Sequence, residues 1–160
     1  THWHQDQPYF NFAGEDFVSL WIPIDPVDEN NGTMRFVKGS HLWGKQFHPV
    51  RIGLGEVIEE AEDFDGLAPD IDGHQDRYDV LSWSLSPGDC FAFHGKMLHA
   101  AFANLTVHRR RRACSLRLTG DDIVWHLNSY APTETKLPNL VQGGPITCDE
   151  YPKIWPQLAV

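Results

Sequence analysis

Phe17-Val-Ser-Leu-Trp-Ile-Pro-Ile24 is the stretch on which the fold turns. Its alternation sets Val18, Leu20, Ile22 and Ile24 on one face and Phe17, Ser19 and Trp21 on the other, the two-residue period of a strand. Downstream, Asp28-Glu-Asn-Asn-Gly32 reads as a turn cluster. Residues 33–37 read as a second strand, stopped by Lys38-Gly-Ser-His41. Residues 80–86 alternate again, Leu81, Trp83 and Leu85 against Val80, Ser82 and Ser84. Pro87-Gly-Asp89 is a tight turn, and residues 90–94, 97–103 and 113–118 are further predicted strands. The last sets Cys114, Leu116 and Leu118 opposite Ala113, Ser115 and Arg117. Helical periodicity is weak, and only residues 55–64 could make a short acidic helix. The tail from Asn128, with Pro132, Pro138, Pro145, Pro152 and Pro156, reads as irregular wrapping. Short strands separated by turns predict an all-β antiparallel sandwich or barrel, the jelly roll included.

The 160 residues suffice for a single domain, taken as 1–160, with one core. A hydrophobic fraction of 41% against 22% charged excludes wholesale disorder. No apolar run approaches the ~20 residues of a membrane-spanning helix. A formal charge of −9 argues against a non-specific nucleic-acid binder. Cys90, Cys114 and Cys148 are too scattered for a disulfide framework and read as free thiols in a reducing, cytoplasmic compartment. The sequence opens at Thr1 without Met and reaches Trp3 and His4 with no lead-in. The expectation is a fragment of a longer chain, whose targeting signals cannot be read.

In an extended His4-Gln5-Asp6, positions i and i+2 point the same way, so an imidazole and a carboxylate face one point. These are two positions of a mixed N/O metal site whose third ligand must come from elsewhere. Three ligands on one face leave the opposite positions open for substrate chemistry. Nine histidines compete. His94 and His99 share the segment Phe91-Ala-Phe-His-Gly-Lys-Met-Leu-His99, and spacing alone does not separate them. His41 reads as packed or capping, and His48, His74, His108 and His126 as solvent-exposed. Arg109-Arg-Arg-Arg112 runs into the 113–118 strand, so alternate guanidinium groups face opposite ways. At most one or two face inward, and a buried one demands a carboxylate or phosphate partner. The planar fork suits the far end of a small dicarboxylate.

Six ordered pieces now resemble the catalytic core of the phytanoyl-CoA dioxygenase family. They are Trp3-His-Gln-Asp6, Val18-Ser-Leu-Trp-Ile-Pro-Ile-Asp25, Asn31-Gly-Thr-Met-Arg-Phe-Val-Lys-Gly-Ser-His41, Pro87-Gly-Asp-Cys-Phe-Ala-Phe-His94, Leu98-His99 and Arg111-Arg-Ala-Cys-Ser-Leu-Arg-Leu-Thr-Gly-Asp-Asp122. The resemblance implies a double-stranded β-helix, a cupin-like jelly roll of two antiparallel sheets. It implies an Fe(II)- and 2-oxoglutarate-dependent dioxygenase that uses O2 to hydroxylate an unactivated C–H bond of a small molecule. The co-substrate would leave as succinate and CO2. His4 and Asp6 match the family's His-x-Asp ligands and His99 the distal histidine, which leaves His94 a structural role. The 2-oxoglutarate arginine is Arg110 by spacing and Arg111 by the Arg-x-Ala-x-Ser pattern; strand parity favours Arg111. Trp21 matches a residue lining the co-substrate pocket, and Gln5 one that touches it. Ala101 stands where some relatives carry Ser. Halogenating relatives replace the carboxylate ligand, which Asp6 retains, so hydroxylation is expected.

The helices that precede His-x-Asp in the family are absent from this sequence. Cys114, Leu116 and Leu118 are therefore expected to face water and offer a surface for self-association. Two rival readings stand beside the oxygenase: a non-catalytic metal-binding jelly roll, and a zinc-dependent hydrolase or isomerase on a similar barrel. The substrate is read from residues 55–73, where Glu56, Glu59, Glu60, Glu62, Asp63, Asp65, Asp70 and Asp72 occur with no Lys or Arg. The stretch reads first as a solvated surface loop; as a lid, it would repel a CoA ester and favour a cationic or neutral small molecule.

Overall fold

The computed structural model describes residues 1–51, 54–58, 64–128 and 139–155. Eight strands follow in chain order: β1 (Phe12–Ala13), β2 (Phe17–Pro23), β3 (Met34–Val37), β4 (Val80–Ser82), β5 (Phe91–His94), β6 (His99–Ala101), β7 (Ala113–Thr119) and β8 (Val124–Trp125). All pairings are antiparallel. One sheet has the order β5-β2-β7, a second β4-β3-β6, and β1 pairs with β8. Trp21 and Phe93 from the first sheet meet Met34 and Phe36 from the second in one apolar cluster, closed by Val27 and Leu85. The Phe36 ring lies 5.1 Å from that of Phe93. This is the two-layer sandwich expected from the alternation.

The face of β2 that turns inward is the one with fewer aliphatic side chains. Phe17, Ser19, Trp21 and Pro23 are buried, while Val18, Leu20 and Ile22 are only half-buried. On the adjoining strand Cys114 is exposed and Leu116 is 45% exposed, as expected of an uncovered outer face; Leu118 is half-buried. The second sheet differs, because the chain itself covers its outer face. Ile71 and Leu98, both 0% exposed, pack with Val37 and Phe47 there, beside Trp3 and Tyr78. Burying each such aliphatic side chain contributes about 1.5–3 kcal/mol. Arg35 fastens the cover, with two hydrogen bonds to the Asp72 carboxylate at 2.6 and 2.9 Å. Its guanidinium lies between the Trp3 and Phe102 rings.

Some expectations need correction. Residues 80–86 are a strand only to Ser82, after which Leu85 makes a separate bridge to Val27; 97–103 contracts to β6. A 3-10 helix at Asp72–Arg77 was not expected. Of the predicted helix at 55–64, residues 59–63 lie outside the described residues. The rest is not helical, since Val57 bridges Val50 in a small hairpin. Pro132, Pro138 and Pro156 also lie outside; residues 139–155 run irregularly, as expected. Among the described residues no helix is long and apolar enough to cross a membrane.

Candidate metal centre

His4 extends the second sheet beyond β6. Its N–H donates to the His99 carbonyl at 3.0 Å, and the His99 N–H returns the bond at 2.9 Å. Asp6 has already left the extended conformation, at φ −75° and ψ −40°, to start the 3-10 turn at Gln7–Tyr9. The backbone bend still leaves its side chain beside His4. Asp6 Oδ1 lies 3.8 Å from His4 Nε2 and 3.6 Å from His99 Nε2. One donor atom from each residue falls within 4.8 Å of the others, close enough to serve one ion.

The tautomers follow from the backbone. His4 Nδ1 lies 2.8 Å from the His2 carbonyl, and His99 Nδ1 2.8 Å from the Met97 carbonyl. A carbonyl only accepts, so each Nδ1 carries the proton and each Nε2 presents a lone pair. Burial holds both imidazoles below the usual histidine range, and His4 pushes His99 further down. Both are thus neutral at neutral pH, the form that binds a metal. His94 is used otherwise. Its Nε2 donates to the Glu15 carbonyl at 2.8 Å and its Nδ1 accepts from the Lys96 N–H at 3.0 Å, so neither nitrogen is available.

The three side chains open on a cavity of about 360 Å³ that Tyr9, Trp21, Met34 and Phe93 also line. Arg111 is in its wall, and Arg110 is exposed. Strand register explains the difference. Pro23 pairs with Ala113, Trp21 with Ser115 and Ser19 with Arg117, which makes one inward row on each strand, and Arg111 continues that row. Arg111 lies over the Trp21 ring, 4.7 Å from its centroid, and its Nε donates to the Gly32 carbonyl. Among the described residues no carboxylate pairs with it, and burial holds its guanidinium below the usual arginine range. Its neighbours are already matched. Arg112 grips Asp25 and holds that carboxyl down at about 2, and Arg109 holds Asp28 at 2.8 Å.

Gln5, expected at the co-substrate, does not line the cavity. Its amide donates to the Lys45 and Lys96 carbonyls and accepts from the Phe47 N–H, so it braces the ligand segment from behind. The described acidic residues of the 55–73 stretch are exposed, in keeping with the solvated-loop reading. Asp65 accepts from the Gln46 N–H, Asp70 from the Gly73 N–H, and Asp72 holds Arg35. None of the described acidic residues in 55–73 lines the cavity; Glu59, Glu60, Glu62 and Asp63 lie outside the described residues. Just before this stretch, Val50 meets the cavity wall: its N–H and C=O both bond to the Tyr9 hydroxyl. Sequence reasoning missed Arg117 and Ser19, which both bind Asp6 Oδ2, at 3.0 and 2.6 Å. Parity put both on inward faces, but only the cross-strand register brings them together.

Known proteins are similar to this chain in sequence and in fold. "Multifunctional dioxygenase prhA" of Penicillium brasilianum is 30% identical over 122 residues, 72% of this chain and 35% of the relative. A "Probable phytanoyl-CoA dioxygenase" of Caenorhabditis elegans is 28% identical over 138 residues, 84% of this chain and 41% of the relative. The chain thus spans well under half the length of these curated relatives. In fold it matches the epimerase SnoN from nogalamycin biosynthesis, solved with Fe3+, alpha ketoglutarate and nogalamycin RO. The TM-score is 0.67 at 22% identity, covering 95% of this chain and 56% of that one. The family profile for phytanoyl-CoA dioxygenase matches residues 1–113. With the double-stranded β-helix and the ordered motifs around His4, His99 and Arg111 in view, the chain belongs to the phytanoyl-CoA dioxygenase family of iron- and 2-oxoglutarate-dependent oxygenases.

Proposed function

We propose that this polypeptide holds Fe(II) through His4, Asp6 and His99, binds 2-oxoglutarate through Arg111, and hydroxylates an unactivated C–H bond of a free small molecule. One observation carries the reading: two unprotonated Nε2 atoms and Asp6 Oδ1 converge beside a cavity whose wall holds a half-buried guanidinium with no carboxylate partner among the described residues. Two neutral nitrogens and one carboxylate oxygen suit iron and leave positions for a chelating co-substrate and O2. When bound, iron with 2-oxoglutarate and O2 supplies the oxidising power, and the co-substrate leaves as succinate and CO2.

The chain's own work is placement. Arg111 takes the far carboxylate of 2-oxoglutarate, and the Trp21 ring under the guanidinium shields the pair from water. Phe93, Met34 and Trp21 give the cavity dry walls. Asp6 fills the position that a halide would need, which favours hydroxylation. The −9 charge of the chain disfavours a polyanionic CoA ester.

The test is O2 consumption and succinate formation by the purified chain with 2-oxoglutarate, under Fe(II) and separately under Zn(II). The reading requires turnover that depends on Fe(II) and is lost in Asp6→Ala. Turnover supported by Zn(II), or none with Fe(II) and a broad panel of small acids and amines, removes it.

A further inference from the structure

We infer that Arg117 is the positioning residue that makes Asp6 a one-oxygen ligand. The inference rests on the reading of His4, Asp6 and His99 as the metal ligands, and it concerns the carboxylate oxygen that faces away from the two histidines.

Asp6 Oδ2 accepts a hydrogen bond from Ser19 Oγ at 2.6 Å and forms an ion pair with Arg117 Nη2 at 3.0 Å. Ser19 and Arg117 are directly opposed across β2 and β7, so the sheet register itself builds the clamp. Ser19 is 0% exposed, and the Asp6 side chain is 8% exposed. Arg117 is fixed in turn. Its Nη1 donates to Ser115 Oγ at 2.6 Å, and its guanidinium stands 5.7 Å from the Phe10 ring centroid. Its Nε is buried and has no partner among the described residues. The group is therefore oriented toward Asp6 rather than saturated by its surroundings.

A free carboxylate can chelate an ion through both oxygens. Here chelation would require Oδ2 to give up an ion-pair partner and a hydroxyl, while Oδ1 already faces both Nε2 atoms. The clamp thus selects attachment through Oδ1. That choice keeps one coordination position from being filled by the protein, and an oxygenase needs that position for a chelating co-substrate and O2 together. Arg117 does not compete with Arg111 for 2-oxoglutarate, because its charge is already matched by Asp6.

Co(II) alone is the probe, titrated calorimetrically into the metal-free protein, with infrared spectra of the carboxylate stretches taken on the loaded samples. Arg117→Met should bind Co(II) about 10–100-fold more weakly and narrow the splitting between the asymmetric and symmetric stretches, as chelation does. Arg117→Lys, which restores the positive charge, should recover most of both. Ser19→Ala should shift both readouts in the same direction by a smaller amount, and it decides the matter if Arg117→Met does not fold. Unaltered Co(II) affinity and splitting in Arg117→Met and Ser19→Ala overturn the inference while leaving the metal site standing. Absence of Co(II) binding by the unmodified protein removes the metal reading and this inference with it.

Discussion

The Gly32 carbonyl accepts a 2.9 Å hydrogen bond from Arg111 Nε, and a Cβ on Gly32 would stand 3.4 Å from both Nε and Cγ of that side chain. At φ +101° the position also belongs to the left-handed region that glycine tolerates best. The residue that places the cavity's arginine is thus 79 positions away in sequence. Arg111→Met should raise the apparent KM for 2-oxoglutarate at least 30-fold, since stranding a buried charge partner costs about 2–5 kcal/mol. Gly32→Ala should raise it less and lower the melting temperature as well. Arg110→Met should leave it unchanged; steady-state kinetics that show the reverse order would move the anchor to Arg110.

His99→Ala should abolish Co(II) binding, because it removes the Nε2 that faces Asp6 Oδ1 at 3.6 Å. His94→Ala should keep the metal and lose thermal stability, as both of its ring nitrogens hold backbone groups. Calorimetric titration of each variant separates the two roles. Full metal occupancy in His99→Ala would be incompatible with the assignment.

Gln5→Leu strands the Phe47 N–H and the Lys45 and Lys96 carbonyls behind the ligand segment. The expected loss is on the order of 3 kcal/mol of stability, read by urea unfolding of the metal-free protein. The KM for 2-oxoglutarate should not move, because Gln5 does not line the cavity. A rise in KM with unchanged stability would return Gln5 to the co-substrate.

In the metal-free protein, burial and the neighbouring His4 bring His99 from 6.5 down to about 4; burial also lowers His4. Below pH 6.5 the unfolded chain takes up protons at these rings while the folded one resists. Stability that is fully present above pH 6.5 is therefore lost as the pH falls through the folded-state values. Melting temperatures should drop between pH 6.5 and about 4, and the His4→Gln/His99→Gln double variant should show a shallower slope over the same range. Equal slopes would contradict the shift.

Free acids, amines and their CoA thioesters, offered at low ionic strength, test the substrate class. Free molecules should support faster succinate formation, and added salt should narrow the gap by screening the chain's negative field. A CoA ester turned over as fast at low salt as at high would defeat the proposal.

Much of this architecture was legible locally. β2, β3, β5 and β7 announce themselves because a half-buried strand writes its period into a few consecutive residues. β1 and β8 do not, since two-residue strands have no period and are defined by their partner. The same alternation that put Arg111 inward also put Gln5 opposite His4 and Asp6, so its absence from the cavity wall could have been read from parity. The Ser19–Arg117 clamp on Asp6 could not, because register between strands far apart in sequence is a property of the assembled sheets. Charge marked the acidic insertion as solvated, and Asp65, Asp70 and Asp72 are exposed; what charge does not show is that Ile71, between Asp70 and Asp72, anchors it to the core.

The pairing of β2 with β7 also has a kinetic side. Phe17 meets Thr119 and Pro23 meets Ala113, contacts that close loops of about a hundred residues and must be reached through a large entropic search. Asp6 acquires Arg117 only after that search is complete, and His4 meets His99 across a similar distance. A metal ion therefore has little to grasp in the early, partly ordered chain. Adding it at the start of refolding should leave the folding rate nearly unchanged, while slowing the unfolding of the finished molecule.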